Sequence, residues 1–254
     1  MEIDELIELL NHMGGKIRRE TPREIVIDGV KSLHGVEYSI QSDRNEEVTF
    51  AVAAALTGGS ITVHASRRDS LGAFLDVFRQ AGGTYKEIDG STTIYSIDKS
   101  IIATDIVTSP HPGFMTDWQA PWAVLMTQAI GVSSIHETVF ESRFSYVSEL
   151  KKMGAMIDFF DPTVKNPETF YNFNWSDRVD GYHQGIKIHG PTELHNAILN
   201  IDDLRAGATL VLAALIAKGE SYIHGVEQID RGYENMEKKL RRLGAQIRRI
   251  KEEP

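Results

Sequence analysis

Hydrophobic and polar positions along the chain return as a repeated local unit. An amphipathic helix runs into a turn of small apolar residues and glycine, and a short strand follows. The unit occurs at residues 9–17, 77–85, 150–157 and 240–247, with Gly14, Gly82, Gly154 and Gly244 at the turn. Glycine there fits a helix C-terminal cap, because a left-handed backbone costs glycine almost nothing and lets the chain reverse into a strand. A second pattern precedes three of the copies: a nearly all-apolar helix that ends in glycine and feeds an alternating strand, at residues 51–64, 123–136 and 210–224. Measured between the two glycines, the copies run from Gly58 to Gly82, Gly131 to Gly154 and Gly219 to Gly244. They are nearly equal in length, so three complete repeats of helix, strand, helix, strand are expected.

The copy at residues 6–19 has no buried helix before it. A half-unit leaves an apolar helix face without its cover, and a segment upstream or another chain is expected to supply it. The Ala- and Leu-rich helices around residues 51–56 and 210–217 read as buried on most sides. The pattern therefore predicts a mixed α+β fold with helices inside and sheets outside. One stretch, from Phe159 to Gly185, has turns and aromatics without periodicity. It reads as a long ordered loop or hairpin whose aromatics cover a local core, with a lid or a partner contact as the alternative.

Composition excludes several classes. The chain is 41% hydrophobic and 25% charged, which suits a packed globular protein. No stretch approaches the roughly 18 apolar residues of a membrane-spanning helix, and the acidic start at Glu2, Asp4 and Glu5 is unlike a signal peptide. A cytoplasmic protein with no membrane partner is expected. The net charge of −9 argues against broad nucleic-acid binding. The basic residues Lys238, Lys239, Arg241, Arg242, Arg248 and Arg249 read as the solvated face of a helix and strand. Zero cysteines remove disulfides, thiolate metal sites and a cysteine nucleophile from this chain. The nine histidines form no metal-binding pattern, and His183, His189 and His195 read as structural. Neither a metal nor a nucleotide cofactor is expected.

Three arginines stand beside acids where repeat loops converge: Arg143 near Glu141, Arg205 near Asp202 and Asp203, and Arg231 next to Asp230. Arginine's planar fork suits phosphate and carboxylate, and Arg205 and Arg231 are expected at helix mouths, where free N–H groups add anion affinity. Each pair also reads as a cap plus a surface ion pair. Their recurrence at equivalent repeat positions favours one shared crevice. The segment 110–122 is the densest in candidate chemistry: prolines and Gly113 shape a loop, and Thr116 and Asp117 are expected to cap the helix after it. Asp117 is either a general base toward an alcohol nucleophile or an N-cap alone.

Five ordered motifs carry a resemblance: Thr-x-x-His-Pro-Gly-Phe-x-Thr-Asp-x-Gln-Ala from Thr108, Glu-x-x-Phe-Glu-x-Arg-Phe from Glu137, Glu-Leu-x-x-Met-Gly-Ala from Glu149, Asp-Leu-Arg-Ala-Gly-Ala from Asp203 and Ile-Asp-Arg-Gly-Tyr-Glu from Ile229. From Glu2 to Ile250 the chain resembles the C-terminal half of the UDP-N-acetylglucosamine 1-carboxyvinyltransferases, a branch of the enolpyruvyl transferases. The resemblance implies βαβαββ units, with residues 1–43 as an incomplete last unit of the N-terminal domain. Residues 44–254 would form a C-terminal domain of three units, with an aromatic insertion at about 159–185. It implies transfer of the enolpyruvyl group of phosphoenolpyruvate to the 3′-hydroxyl of UDP-N-acetylglucosamine with release of phosphate, the first committed step of peptidoglycan synthesis.

By motif, Asp117 resembles the general base, with Thr116 beside it, and Val139 the backbone contact to the sugar nucleotide. Glu141, Arg143, Asp203, Arg205 and Arg231 resemble the shell around phosphoenolpyruvate and the tetrahedral intermediate, with Arg231 as anion clamp. Asp43 and Arg44 resemble an interdomain segment facing the cleft. The family's lysine-asparagine pair and its mobile catalytic loop belong to the N-terminal half, so turnover is expected to need a partner chain supplying that half. The alternatives are a non-catalytic sugar-nucleotide-binding protein and a relative of the shikimate-pathway enolpyruvyl transferase.

Overall fold

The computed structural model describes residues 1–97 and 100–250. The chain divides into two compact units, Met1–Asp43 and Arg44–Pro254.

In the first unit, α1 (Glu2–His12) leads into an antiparallel hairpin of β1 (Lys16–Thr21) and β2 (Glu24–Asp28). Gly14 takes φ +94°. Gly15 N–H donates back to Leu10 O at 2.8 Å and Gly14 N–H to Asn11 O at 3.0 Å, which closes the helix as a Schellman cap. The Asn11 side chain then bonds both backbone groups of Ile17, at 2.7 and 2.8 Å, and sets the angle between helix and strand. None of residues 1–43 is buried. Ile3 and Leu6 on α1 are 56% and 52% exposed, so the apolar face read from the sequence is open.

In the second unit the chain runs through α2 (Arg44–Leu56), β3 (Ser60–His64), α3 (Gly72–Gln80), β4 (Gly83–Glu87) and β5 (Thr92–Ile97). Next come β6 (Ile106–Val107), α4 (Thr116–Thr127), β7 (Gly131–His136), α5 (Tyr146–Lys152), β8 (Met156–Phe160), α6 (Pro167–Phe170) and β9 (Gly185–Gly190). The last elements are β10 (Ile198–Asn200), α7 (Leu204–Ile216), β11 (Tyr222–His224) and α8 (Met236–Arg242).

Among the described residues of this second unit three sheets form, ordered β3-β5-β4, β6-β7-β9-β8 and β10-β11. In the second, β6 and β7 pair in parallel across α4 while β7, β9 and β8 are antiparallel, so this repeat is a full βαβαββ unit. The parallel pair β10 and β11 flanks α7 in the same way. The fold is the expected α+β arrangement of inner helices and outer sheets.

Helices α2, α4 and α7 are buried along most of their length and pack against one another. Being apolar on nearly every side, none of them can face water without losing about 25 cal/mol for each Å² left wet. A cluster of Phe74, Phe78, Phe114, Trp118 and Trp122 fills the space between α3 and α4, with ring centroids 5.4–6.1 Å apart.

The turn glycines behave as expected. Gly82, Gly154 and Gly244 have φ of +96°, +94° and +104°. The repeat departs from expectation at its last strand, for residues 245–250 carry no strand. A strand exists by pairing, and the third sheet holds only β10 and β11. Ala245 and Ile247 pack against the core as irregular chain instead.

Gly154→Ala tests the cap. A Cβ in the left-handed region costs about 1–2 kcal/mol, and here it would stand 3.1 Å from the His195 ring. A lower urea midpoint at unchanged m value is the expected result.

Candidate active site

The segment before α4 is shaped by its small residues. Ser109 N–H donates to Phe114 O at 2.8 Å and Gly113 N–H to Pro110 O at 2.9 Å. A Cβ on Gly113 would stand 1.7 Å from Ser109 Oγ, so a larger residue there requires the serine hydroxyl to turn away. Buried Phe114 and Trp118 anchor the segment, and Trp118 Nε1–H donates to Asn45 Oδ1 at the start of α2 at 2.9 Å. Thr116 and Asp117 are therefore held rigidly, but not as caps: Met115 is the N-cap of α4 and no side chain caps it. Both side chains lie in the first turn and are directed to other partners.

Asp117 Oδ1 accepts from Arg143 Nη2 at 2.9 Å and from Arg205 Nε at 3.2 Å. Arg205 Nη1 also donates to Tyr233 Oη at 3.2 Å, and Tyr233 Oη shares a 2.8 Å bond with Thr49 Oγ1 on α2. The two arginines and the aspartate remain 14–27% exposed at their side chains, enough to meet a ligand while shielded from full hydration. Asp117 lies in the first turn of α4 and Arg205 in that of α7, while Asn45, bonded to Trp118, lies in that of α2. Three helix N-termini thus meet here, each carrying a partial positive charge and unsatisfied N–H groups. Two guanidiniums beside them make the place suited to an anion.

Asp203 is the N-cap of α7, its Oδ1 accepting from Arg205 N–H at 2.8 Å and Ala206 N–H at 3.3 Å. Its Oδ2 accepts from Ser145 Oγ at 3.3 Å. Glu141 and Val139 are half-buried on the loop after β7. Arg231 is exposed, ends a 3-10 turn rather than opening a helix, and donates to Gln228 Oε1 at 3.2 Å. Its neighbour Asp230 pairs with Arg249 through two bonds of 2.8 and 3.0 Å. Of the three arginines expected to share a crevice, Arg143 and Arg205 meet at Asp117 and Arg231 bonds elsewhere. Arg44 is only 2% exposed and donates to His111 Nδ1 at 3.0 Å, so it braces the segment before α4. Asp43 is exposed and closes the first unit. His183 and His189 pair with Asp161 and Asp158 at 3.2 and 2.9 Å. Among the described residues no group of three His, Asp or Glu is arranged to hold a metal ion.

Sequence reasoning missed three residues. Gln119 Nε2–H donates to Arg143 O at 3.0 Å and fixes that arginine's backbone. Tyr233 orients Arg205. Glu137 is fully buried. Its Oε1 accepts from Thr108 Oγ1 at 2.9 Å, Val139 N–H at 2.7 Å and Phe140 N–H at 3.1 Å, and its Oε2 from Thr116 Oγ1 at 2.8 Å. One carboxylate thus ties the start of α4 to the loop carrying Val139 and Glu141. The signal was present, since Glu137 opens the second motif, but nothing in the sequence said that it points inward.

Burial pushes the Glu137 carboxyl above its ordinary 4.5, and the four donors pull the other way without cancelling it. With the folded value above the unfolded one, the folded state holds more protons in that window, so this group's contribution to stability falls as pH rises from about 4.5 through the folded value. Glu137→Gln lacks this titration. Its stability relative to the parent is expected to improve as pH rises through that window, read from urea midpoints in a pH series. Glu137→Ala strands four donors and is expected to lose about 3 kcal/mol or more at pH 7.

The family model for EPSP synthase (3-phosphoshikimate 1-carboxyvinyltransferase) matches residues 1–240. The UDP-N-acetylglucosamine 1-carboxyvinyltransferase of Magnetococcus marinus is 43% identical over 249 residues, which is 98% of this chain and 54% of that protein. The protein of the same name from Desulfatibacillum aliphaticivorans is 42% identical over 98% of this chain and 55% of its own length. The chain spans about half the length of the curated relatives it matches. Among solved structures, the enolpyruvyl transferase NikO from Streptomyces tendae superposes with a TM-score of 0.77 at 25% identity, over 97% of this chain and 54% of that one. An EPSP synthase from Acinetobacter baumannii, at 18% identity and a TM-score of 0.65 over 94% of this chain and 54% of its own, shares the fold. The chain belongs to the EPSP synthase family of enolpyruvyl transferases.

Proposed function

We propose that this chain is the acceptor-activating part of an enzyme that transfers the enolpyruvyl group of phosphoenolpyruvate to the 3′-hydroxyl of UDP-N-acetylglucosamine. The observation that carries the reading is Asp117 between two guanidiniums where three helix N-termini meet. The names of the relatives supply the substrate. The acceptor oxygen bonds to C2 of phosphoenolpyruvate as C3 gains a proton. The tetrahedral intermediate then loses phosphate from C2 and a proton from C3, restoring the double bond. Asp117 takes the hydroxyl proton. Arg143 and Arg205 bind the anionic groups of the substrates, and a phosphate or carboxylate that competes for their N–H groups releases Asp117 to act as base. Fixed cations of this kind typically lower such a barrier by a few kcal/mol. Exposed Arg231 is read as a further cation that clamps an incoming anion from outside the cluster.

Residues 1–43 are read as the end of an N-terminal domain, whose remainder would cover the open face of α1 and bring the other catalytic groups. The product enters peptidoglycan synthesis, which places the enzyme in the cytoplasm. Among the described residues no helix is long and apolar enough to cross a membrane.

Phosphate release from phosphoenolpyruvate plus UDP-N-acetylglucosamine tests the reading, with this chain alone and mixed with a polypeptide supplying the N-terminal half. Activity in the mixture is expected to fall about 10²–10⁴-fold in Asp117→Asn and about 10²-fold or more in Arg205→Ala, with both variants folded by circular dichroism. Turnover of 3-phosphoshikimate in place of the sugar nucleotide would move the chain to the other branch. Tight sugar-nucleotide binding with no turnover in any mixture would make it a binding protein.

A further inference from the structure

The strands β8 and β9 pair end to end, Phe160 opposite Gly185, and the chain between them folds back over the end of β7. Its aromatics pack on one another. Tyr171 is 5% exposed and stacks on Trp175 at 4.5 Å with 7° between planes, and the Arg178 guanidinium lies 4.2 Å over the same Trp175 ring. Trp175 is thus already engaged and offers no open platform for a base. Phe170 stacks on His136 at 5.3 Å, and the Tyr171 hydroxyl bonds His136 Nε2 at 3.0 Å.

Among the described residues, the polar contacts this segment makes outside itself fall on residues 136–141. Asn172 N–H donates to Thr138 O at 2.8 Å, and Glu137 N–H donates to Gln184 O at 2.8 Å. Gln184 Nε2–H donates to Glu141 O at 2.8 Å. From the other side, Thr138 N–H is held by Thr108 Oγ1, and Val139 and Phe140 N–H by the Glu137 carboxylate. The loop that carries Val139, Glu141 and Arg143 is therefore gripped from inside by Glu137 and from outside by residues 161–184.

Gln184 makes its part of this grip at a cost. The residue is 2% exposed, and its Oε1 has no hydrogen-bond partner among the described residues. A buried acceptor without a donor destabilises a fold, so an apolar side chain of similar size would serve packing as well or better. What the amide supplies is the bond to Glu141 O.

We propose that residues 161–184 are a brace for the substrate loop, and that Gln184 is a positioning residue holding the backbone of Glu141 and Arg143 in the geometry that binds the sugar nucleotide. The brace works by prepaid order: a loop already fixed in its binding shape loses less freedom when the ligand arrives. The brace follows from the contacts; its role toward the sugar nucleotide rests on the function proposed above.

Gln184→Leu separates positioning from packing. The expected result is an unchanged or higher melting temperature, faster amide hydrogen exchange across residues 138–143 in this chain, and a KM for UDP-N-acetylglucosamine raised about fivefold or more in the active mixture, with kcat within about twofold. Unchanged exchange at 138–143 overturns the brace, whether or not the mixture turns over. Faster exchange with an unchanged KM overturns its role toward the sugar nucleotide. Should Gln184→Leu not fold, Tyr171→Phe carries the same readouts, since it keeps the ring stack and removes only the hydroxyl on His136. An inactive parent mixture, by contrast, counts against the transferase reading and leaves the exchange result to decide the brace.

Discussion

Three helices that cannot face water hold this structure together, and they also place its chemistry. α2, α4 and α7 come from three successive repeats, and each is apolar on nearly all sides. The way to bury all three is to pack them against one another, with the sheets and amphipathic helices outside. Each therefore brings its first turn to the same end of the bundle, as the Asn45 to Trp118 and Asp117 to Arg205 bonds record. The anion-suited end of the protein is a consequence of how its core is buried.

That arrangement concentrates polar groups at the edge of an apolar core, where each needs a partner. The solution is a chain of shared bonds: Thr49 to Tyr233, Tyr233 to Arg205, Arg205 to Asp117 and Asp117 to Arg143. Glu137, shielded from solvent, takes four hydrogen-bond donors. Groups tied this way keep their geometry without a ligand, which is what electrostatic preorganisation requires. The arginines stay partly exposed, so solvent and solutes can reach them.

Much of this was legible in the chain. The glycine period marked the repeats because a left-handed turn is a local requirement, met by Gly14, Gly82, Gly154 and Gly244 alike. The all-apolar runs marked the inner helices because burial on all sides leaves no polar stripe. Arg143 and Arg205 stand out by residue type and recurrence and Asp117 by the loop that presents it, and these three meet, whereas Arg231, marked by the same recurrence, does not join them.

What the sequence determined by itself was local: which segments are helices, where they stop, which of them must be buried, and which residues have side chains able to bind an anion. Tertiary structure decided everything that depends on which groups become neighbours. It turned Asp117 from an expected cap into the partner of two arginines, left Arg231 outside that cluster, and buried Arg44 against His111. It left residues 245–250 without a strand, because pairing needs a neighbour that no local pattern can supply. It also revealed Glu137 and Gln184, whose importance lies in the distant backbone groups they reach. Propensity and periodicity act over a few residues, whereas a hydrogen bond between residues far apart in the chain exists only once the core has brought them together.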